Sequence, residues 1–144
     1  MLANTAARIG TRESWSERIR FVRENGTKVA AEQAMARWFT DEFRASHPDV
    51  VSHYLSIARS CPLESYLGAC AALRDTDLRR DLHRVVEPTL VVAGSRDEST
   101  TVADGEYLRD NIPNARLEVL EAAHLSNVGR PKEFSALLDD FLSS

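Results

Sequence analysis

The chain has 144 residues, of which 43% are hydrophobic and 28% charged, the composition of one globular domain with a sizeable core. The formal net charge is -4, and the arginines are scattered among acids and form no basic stripe. We therefore expect no nucleic-acid partner. No stretch reaches the roughly 20 apolar residues of a membrane span, and Met1 to Asn4 lacks the features of a signal peptide, so we expect no membrane partner and a cytoplasmic location.

The first part of the chain, from 11 to about 85, has a helical pattern. Apolar residues recur at helical spacing until Gly26, which ends the first predicted helix. Proline is well tolerated at the first position of a helix, where its missing N–H has no partner to lose. Thr27 caps the next predicted helix, which carries Val29, Met35 and Trp38, and Thr40 is a further predicted cap. The pattern also predicts helices over 48–59 and 62–74, each beginning at a proline, and a last short turn that starts at Asp77.

The pattern changes at Pro88. The apolar, β-branched run 89–93 is typical of a strand that is buried on both faces of a parallel sheet. A helix over 103–111 and a second strand over 116–120 follow, giving the order β-α-β. The closing helix, from Pro131, carries a broad apolar stripe suited to lying on a sheet, made of Phe134, Leu137, Leu138, Phe141 and Leu142.

The predicted fold class is α/β, with an unusually small sheet. Even if 2–5 is the tail of a third strand, two or three parallel strands cannot bury both of their faces. The sequence therefore looks like part of a larger sheet. We divide it into 1–10, the end of a strand and a linker, 11–86, a helical region, and 87–144, a β-α-β-α part of the core.

Two chemically active side chains follow the two predicted strands. In α/β sheets, ligands bind beyond the carboxyl ends of strands. Asp97 follows the first strand and His124 follows the second, which is the order of acid and base in hydrolases whose triad runs Ser, Asp, His. There the acid orients the imidazole, and the imidazole takes the proton of the nucleophile. Alone, Asp97 could be a turn former and His124 a packed side chain, but their joint placement favours a hydrolase.

No nucleophile for this pair is found in the sequence. The elbow motif G-x-S-x-G needs two glycines four residues apart, and the six glycines include no such pair. The run 68–72 reads G-x-C-x-A, but the helical spacing around it indicates that Cys70 is a packed thiol on a helix. Cys61 lies on what looks like the same helix, about 13 Å away at a rise of about 1.5 Å per residue, so both cysteines are expected to be free.

Metals and nucleotide cofactors are not expected. The four histidines show no ligand spacing such as H-x-x-x-H, and the two cysteines do not form C-x-x-C. The glycine spacing likewise excludes a dinucleotide-binding G-x-G-x-x-G loop and a P-loop. We therefore predict no metal site and no cofactor.

Five stretches of the sequence resemble the 3-oxoadipate enol-lactonases, bacterial α/β hydrolases that open the enol-lactone of 3-oxoadipate in the β-ketoadipate pathway of aromatic compound degradation. The stretches are ANTAARIGTRESW, RWFTDEFRASHPDV, CAALRDTDLR, PTLVVAGSRD and AAHLSNVGRPKEF. The resemblance runs over essentially the whole chain. It covers only the carboxy-terminal half of such an enzyme.

The resemblance implies a partial α/β-hydrolase fold and roles for single residues. It makes 1–4 the end of the sixth sheet strand and 11–85 the helical cap over the active site, followed by the last two strands. The substrate is then a small lactone or ester. The implied site residues are the triad acid Asp97, the triad base His124, and the substrate-facing aromatics Trp38 and Tyr66. The alternative for the two aromatics is that they are ordinary core residues.

Several interpretations of function remain open, because the first five strands, the elbow serine and the oxyanion-hole loop of the family do not occur in this sequence. In the first interpretation, the chain is the carboxy-terminal half of a hydrolase whose amino-terminal half is a separate chain or was removed. Alternatively, it is an inactive remnant that self-associates as a homo-oligomer or binds a small molecule, or a truncated reading frame with no independent role. In each case we expect that the isolated chain, with sheet surface uncovered, is not a compact monomer.

Overall fold

A computed structural model describes residues 1–143. The described residues form an α/β structure with a small parallel sheet. The strands are β1 (Leu2–Ala3), β2 (Thr89–Gly94) and β3 (Ala115–Leu120). The helices are α1 (Arg12–Trp38), α2 (Asp41–Ser46), α3 (Pro48–Arg59), α4 (Leu63–Asp75), α5 (Val102–Asn111), α6 (Ser126–Gly129) and α7 (Pro131–Ser143), and a 3-10 turn spans Leu82–Arg84.

The chain divides into two compact units, and neither is continuous in sequence. The sheet unit contains Met1–Ala7, Arg37–Thr40 and the chain from Leu78 onward. The helical unit contains Arg8–Ala36 and Asp41–Asp77. The function of the helical unit as a cap stays a prediction.

The sheet unit is built on β2, the central strand. It pairs in parallel with β1 through Leu2 opposite Val91, and with β3 through six successive residue pairs. All six residues of β2 are buried, as its continuous apolar run predicts for a strand covered on both faces. Because all three strands are parallel, the segments that follow them start at the same edge of the sheet.

The crossover helix α5 closes the core of the sheet unit. Its N-terminus is fixed by a reciprocal capping box, in which the Thr101 side chain accepts from the Asp104 N–H and the Asp104 carboxylate accepts from the Thr101 N–H. Leu108 of this helix is buried against β2. The buried cluster consists of Ala7, Leu82, Val91, Leu108 and Ile112.

Helix α7 begins at Pro131, as predicted, but its apolar stripe is only half covered. Phe134, Leu137, Leu138 and Phe141 are half-buried, and Leu142 is 72% exposed. The stripe is wider than the surface that the described part of the chain offers to it. None of the helices within residues 1–143 combines the length and the apolar character needed to cross a membrane.

The helical unit has its own small core. Val22, Ala30 and Leu67 form the buried cluster, and Tyr66 packs against its edge. Gly26 breaks α1 at the predicted position, with φ 82 and ψ 166 inside an otherwise helical run. Helix α1 is therefore kinked at Gly26, and other amino acids rarely adopt the backbone conformation found there.

Several local predictions need correction. Helix α4 begins at Leu63, because Pro62 has extended backbone and stands before the helix. Cys61 lies in the turn before that helix, so it does not share a helix with Cys70. No turn of helix starts at Asp77 in the described chain; the 3-10 turn spans Leu82–Arg84 instead, where Leu82 is buried.

Two glycines of the helical unit should respond oppositely to alanine. Gly26→Ala places a side chain on a conformation that is nearly restricted to glycine, and we expect a loss of about 1–3 kcal/mol in the free energy of unfolding. Gly68→Ala, on α4 with open space around it, should gain about 0.5–1 kcal/mol. Urea unfolding of both variants checks the pair, and equal stabilities would contradict the assigned backbone at Gly26.

Candidate active site

Asp97 is held in the turn that follows β2. Its Oδ1 accepts hydrogen bonds from the backbone N–H groups of Ser99 (2.8 Å) and Thr100 (3.1 Å). Its Oδ2 accepts from the Thr100 hydroxyl at 2.8 Å. The Asp97 side chain is 0% exposed, so these donors take the place of water around the carboxylate.

His124 is held in the loop that follows β3. Its backbone N–H donates to the Arg37 carbonyl at 3.2 Å, and the N–H of Leu125 donates to the Trp38 carbonyl at 3.1 Å. These carbonyls belong to the end of α1, in the part of that helix that the sheet unit contains. The end of α1 therefore fixes the backbone from which the His124 ring extends.

The Asp97 and His124 side chains meet at the carboxyl edge of the sheet. The Nδ1 atom of His124 lies 2.9 Å from Oδ2 of Asp97, and the His124 side chain is 26% exposed. Because the carboxylate can only accept, the proton of a neutral ring is placed on Nδ1. The lone pair of Nε2 is then available to take a proton from another group.

The surroundings of Asp97 keep its carboxyl group ionised. Burial alone raises the pKa, but hydrogen bonds from His124, Asn4 and both the backbone and the hydroxyl of Thr100 outweigh it and hold the pKa of Asp97 at about 2. A permanently charged carboxylate facing Nδ1 stabilises the imidazolium that forms when Nε2 accepts a proton. The pair is thus suited to general base chemistry.

Two further polar residues belong to this network and were not predicted from the sequence. The Nδ2 atom of Asn4 donates to Oδ2 of Asp97 at 3.1 Å, and the Ser126 hydroxyl donates to Oδ1 of Asn4. Ser126 is fully buried and Asn4 is half-buried. An asparagine directly after a strand tail was the available signal, but the prediction extended that strand to Thr5, whereas β1 ends at Ala3.

The two aromatic residues implied by the resemblance take different places. Trp38 is half-buried at the end of α1, and its carbonyl holds the loop next to His124. Tyr66 belongs to the helical unit, where its hydroxyl accepts from Nε of Arg18 at 3.1 Å. Contact of either side chain with a substrate stays a prediction.

Cys70 is a buried thiol on α4, as predicted, and burial raises its pKa. A protonated, inaccessible thiol is a poor nucleophile. Over residues 1–143, no group of three or more His, Cys, Asp or Glu side chains is arranged to hold a metal ion.

Comparison with known proteins gives curated relatives with several names, among them two enol-lactonases, a putative carbamate hydrolase and a monoacylglycerol lipase. No protein-family model matches the chain. The Acinetobacter baylyi protein named 3-oxoadipate enol-lactonase 2 is 42% identical over 135 residues, which are 94% of this chain and 51% of that protein. The enzyme named 3-oxoadipate enol-lactonase 1 of the same organism is 34% identical over 143 residues, 99% of this chain and 54% of its own length.

Solved structures agree with this result. The crystal structure of the enol-lactonase from Burkholderia xenovorans superposes with a TM-score of 0.95 at 34% identity, over 99% of this chain and 55% of that one. The chain is therefore an α/β hydrolase in fold and corresponds to the carboxy-terminal portion of that fold. Among the α/β hydrolases, it is similar to the 3-oxoadipate enol-lactonases. It spans about half the length of the curated relatives it matches.

The depressed pKa of Asp97 predicts a pH-dependent contribution to stability. The carboxyl group titrates near 3.9 when unfolded and near 2 when folded, so it contributes about 2 kcal/mol above pH 5. Most of this contribution is lost as the pH falls from about 5 to 2, because the unfolded state then binds the proton more readily, and the rest is lost below the folded pKa. Urea unfolding of wild type and Asp97→Asn should give a stability difference that shrinks by about 2 kcal/mol over that range.

The exposed acid Asp139 on α7 supplies the control for this measurement. Asp139→Asn removes one negative charge without touching the site. A difference between wild type and Asp97→Asn that stays constant from pH 6 to pH 2 would contradict the stabilised carboxylate.

Proposed function

We propose that this chain supplies the acid and the base of a serine-type ester or lactone hydrolase, with Asp97 as the orienting acid and His124 as the general base. The observation that carries the proposal is the contact of 2.9 Å between Nδ1 of His124 and the buried Oδ2 of Asp97. It reproduces the relation between acid and base in a catalytic triad. The nucleophile belongs to the part of the fold that lies outside this sequence, either in a longer protein or in a separate chain.

The reaction follows from this arrangement. A serine on a strand-to-helix elbow attacks the carbonyl carbon of the ester or lactone, and Nε2 of His124 takes the serine proton. The tetrahedral intermediate expels the alcohol or enol oxygen, which receives that proton from His124. Water then attacks the acyl carbon and gives a proton to Nε2 of His124. The second tetrahedral intermediate breaks its bond to the serine oxygen, which takes that proton back from Nε2 as the acid product leaves. Asp97 stays ionised throughout.

The substrate in this proposal is an enol-lactone of the 3-oxoadipate type. Two curated relatives are named for that activity, and the resemblance extends over both the sheet unit and the helical unit. A role in aromatic compound degradation and a cytoplasmic location belong to the same proposal. Trp38 and Tyr66 are its substrate-facing aromatics.

The test is complementation with a half that carries the nucleophile. The chain is mixed with the segment of an Acinetobacter relative that precedes the matched region, and complex formation is verified by sedimentation. Hydrolysis of p-nitrophenyl acetate and of the enol-lactone should appear only in the complex. A fluorophosphonate probe should label the added half, because the reactive serine lies there.

The two possible results separate the proposal from its main alternative. Hydrolysis that requires both halves supports a divided active site. A verified complex without hydrolysis would contradict it, and self-association of this chain alone would then favour the remnant that binds a second copy. Cys70→Ser supplies the matched control, since a buried thiol outside the pair should leave the rate unchanged.

A further inference from the structure

The side chain of Asn4 links the segments that follow all three strands. Asn4 itself follows β1, and its backbone N–H continues the pairing by donating to Val92 of β2 at 2.9 Å. Its Nδ2 donates to Asp97, beyond β2, at 3.1 Å, and to the Ala123 carbonyl, beyond β3, at 3.4 Å. Its Oδ1 accepts from the Ser126 hydroxyl. One amide thus contacts the carboxylate of the pair and the peptide that precedes His124.

The partners of this amide determine its orientation. A carboxylate and a backbone carbonyl can only accept, so both face the NH₂ group of Asn4. The Ser126 hydroxyl can donate, and it faces the oxygen. Asn4 also has φ 47, a left-handed conformation that asparagine tolerates better than most residues. The position therefore favours asparagine both for its backbone and for its hydrogen-bonding pattern.

Oδ2 of Asp97 is the oxygen that Asn4 and His124 share. It accepts from Nδ1 of His124, from Nδ2 of Asn4 and from the Thr100 hydroxyl. The other oxygen, Oδ1, is held by two backbone N–H groups. Without the Asn4 amide, the carboxylate loses the donor that lies on the β1 side, and the Ala123 carbonyl loses its tie to the same side chain.

We propose that Asn4 is a positioning residue of the active site, holding the Asp97 carboxylate and the peptide before His124 so that Nδ1 of His124 faces Oδ2 of Asp97. The inference rests on the proposed function, because the pair that Asn4 positions is the acid and base of that reaction. It also assigns the buried Ser126 a part, as the residue that holds the Asn4 amide in this orientation.

Two variants test the positioning role. Asn4→Gly removes the side chain and keeps a residue that accepts the left-handed backbone. Asn4→Asp keeps the size and the backbone tolerance but presents oxygen to two groups that only accept. Thr89→Val is the matched control, because it removes a buried hydroxyl that bonds the Glu87 carbonyl at the opposite end of β2.

The first readout uses the chain alone. Nitrogen-15 NMR of the His124 ring reports which nitrogen carries the proton in the neutral form, and the wild type should show Nδ1–H. Asn4→Gly should shift part of the population to Nε2–H. Thr89→Val should lower stability and leave the ring signals in place. Ring signals that are the same in Asn4→Gly, in the control and in wild type would assign Asn4 a purely structural role.

The second readout uses the complemented enzyme. Asn4→Gly should lower kcat about 10–100-fold with little change in KM, because positioning acts on the chemical step. In Asn4→Asp the acid limb of the pH–rate profile should move to higher pH, since two adjacent carboxylates favour uptake of a proton. A kcat for both variants equal to that of Thr89→Val would overturn the proposal.

The readouts distinguish this inference from the proposed function. If complementation yields no hydrolysis, the proposed function fails, while the ring signals of the chain alone still decide whether Asn4 positions His124. If Asn4→Gly does not fold, Asn4→Asp supplies both measurements.

Discussion

Replacing His124 with alanine should lower kcat of the complemented enzyme by at least about 10⁴-fold. The imidazole is the group that takes the proton of the nucleophile, and Asp97 cannot replace it because its side chain is fully buried. KM should change little, since the loss falls on proton transfer in the chemical step. Steady-state kinetics with the enol-lactone and with p-nitrophenyl acetate measure both parameters.

Asp97→Asn is the companion variant, because it preserves the size of the side chain. The amide can donate to Nδ1 of His124, which would place the ring proton on Nε2 and block its function as a base. We expect a loss of about 10⁴-fold in kcat. A rate within about tenfold of wild type for either variant would remove both residues from the mechanism. Asp139→Asn on α7 controls for the loss of one charge at an exposed position.

The core of the site could be predicted because two local patterns coincide. The run 89–93 is apolar and β-branched, and the structure extends the strand by one residue to Gly94. The strand predicted over 116–120 likewise begins one residue earlier, at Ala115. Parallel pairing then brings the residues after these strands to one edge, so strand order predicts that Asp97 and His124 lie near each other.

The rest of the network could not be predicted, because long-range pairing creates it. Asn4 is 93 residues from Asp97 in sequence and 122 from Ser126. Only the pairing of the two-residue strand β1 with β2 brings Asn4 to the site. The four-residue helix α6, which carries Ser126, is too short to show a helical period. The carbonyls of α1 that hold the His124 loop are backbone groups, which leave no signature in the sequence.

Gly94 matters both for the packing of β2 and for the position of the loop that precedes His124. It is the last residue of β2, and a Cβ atom added there would lie 2.4 Å from the Ala122 carbonyl oxygen and 2.7 Å from that of Ala123. Both contacts are with backbone of the loop that precedes His124, so a flexible side chain cannot move aside to relieve them. The loop approaches this closely because the Arg96 N–H donates to the Ala122 carbonyl at 3.0 Å.

Gly94→Ala should therefore destabilise the chain and displace His124 together. Overpacking of this kind costs about 1–3 kcal/mol in the free energy of unfolding. A shift of about 1 Å between His124 and the reacting group can lower kcat about 10²-fold. Urea unfolding, the ring nitrogen signals of His124 and the kinetics of the complemented enzyme measure the three effects on one variant.

Gly129→Ala is the matched control for this prediction. The added Cβ atom there would lie 3.8 Å from the Ala122 side chain, an ordinary van der Waals contact. We expect a change of less than about 1 kcal/mol and an unaltered rate. If Gly94→Ala instead behaves like Gly129→Ala in stability and in rate, the loop can retreat from β2 without moving His124, and the close approach at Gly94 does not set the geometry of the pair. If the rate is lost but the stability is retained, the loop has moved to accommodate the added methyl group. The alignment of His124 with Asp97 then depends on how closely the Ala122 and Ala123 carbonyls approach β2.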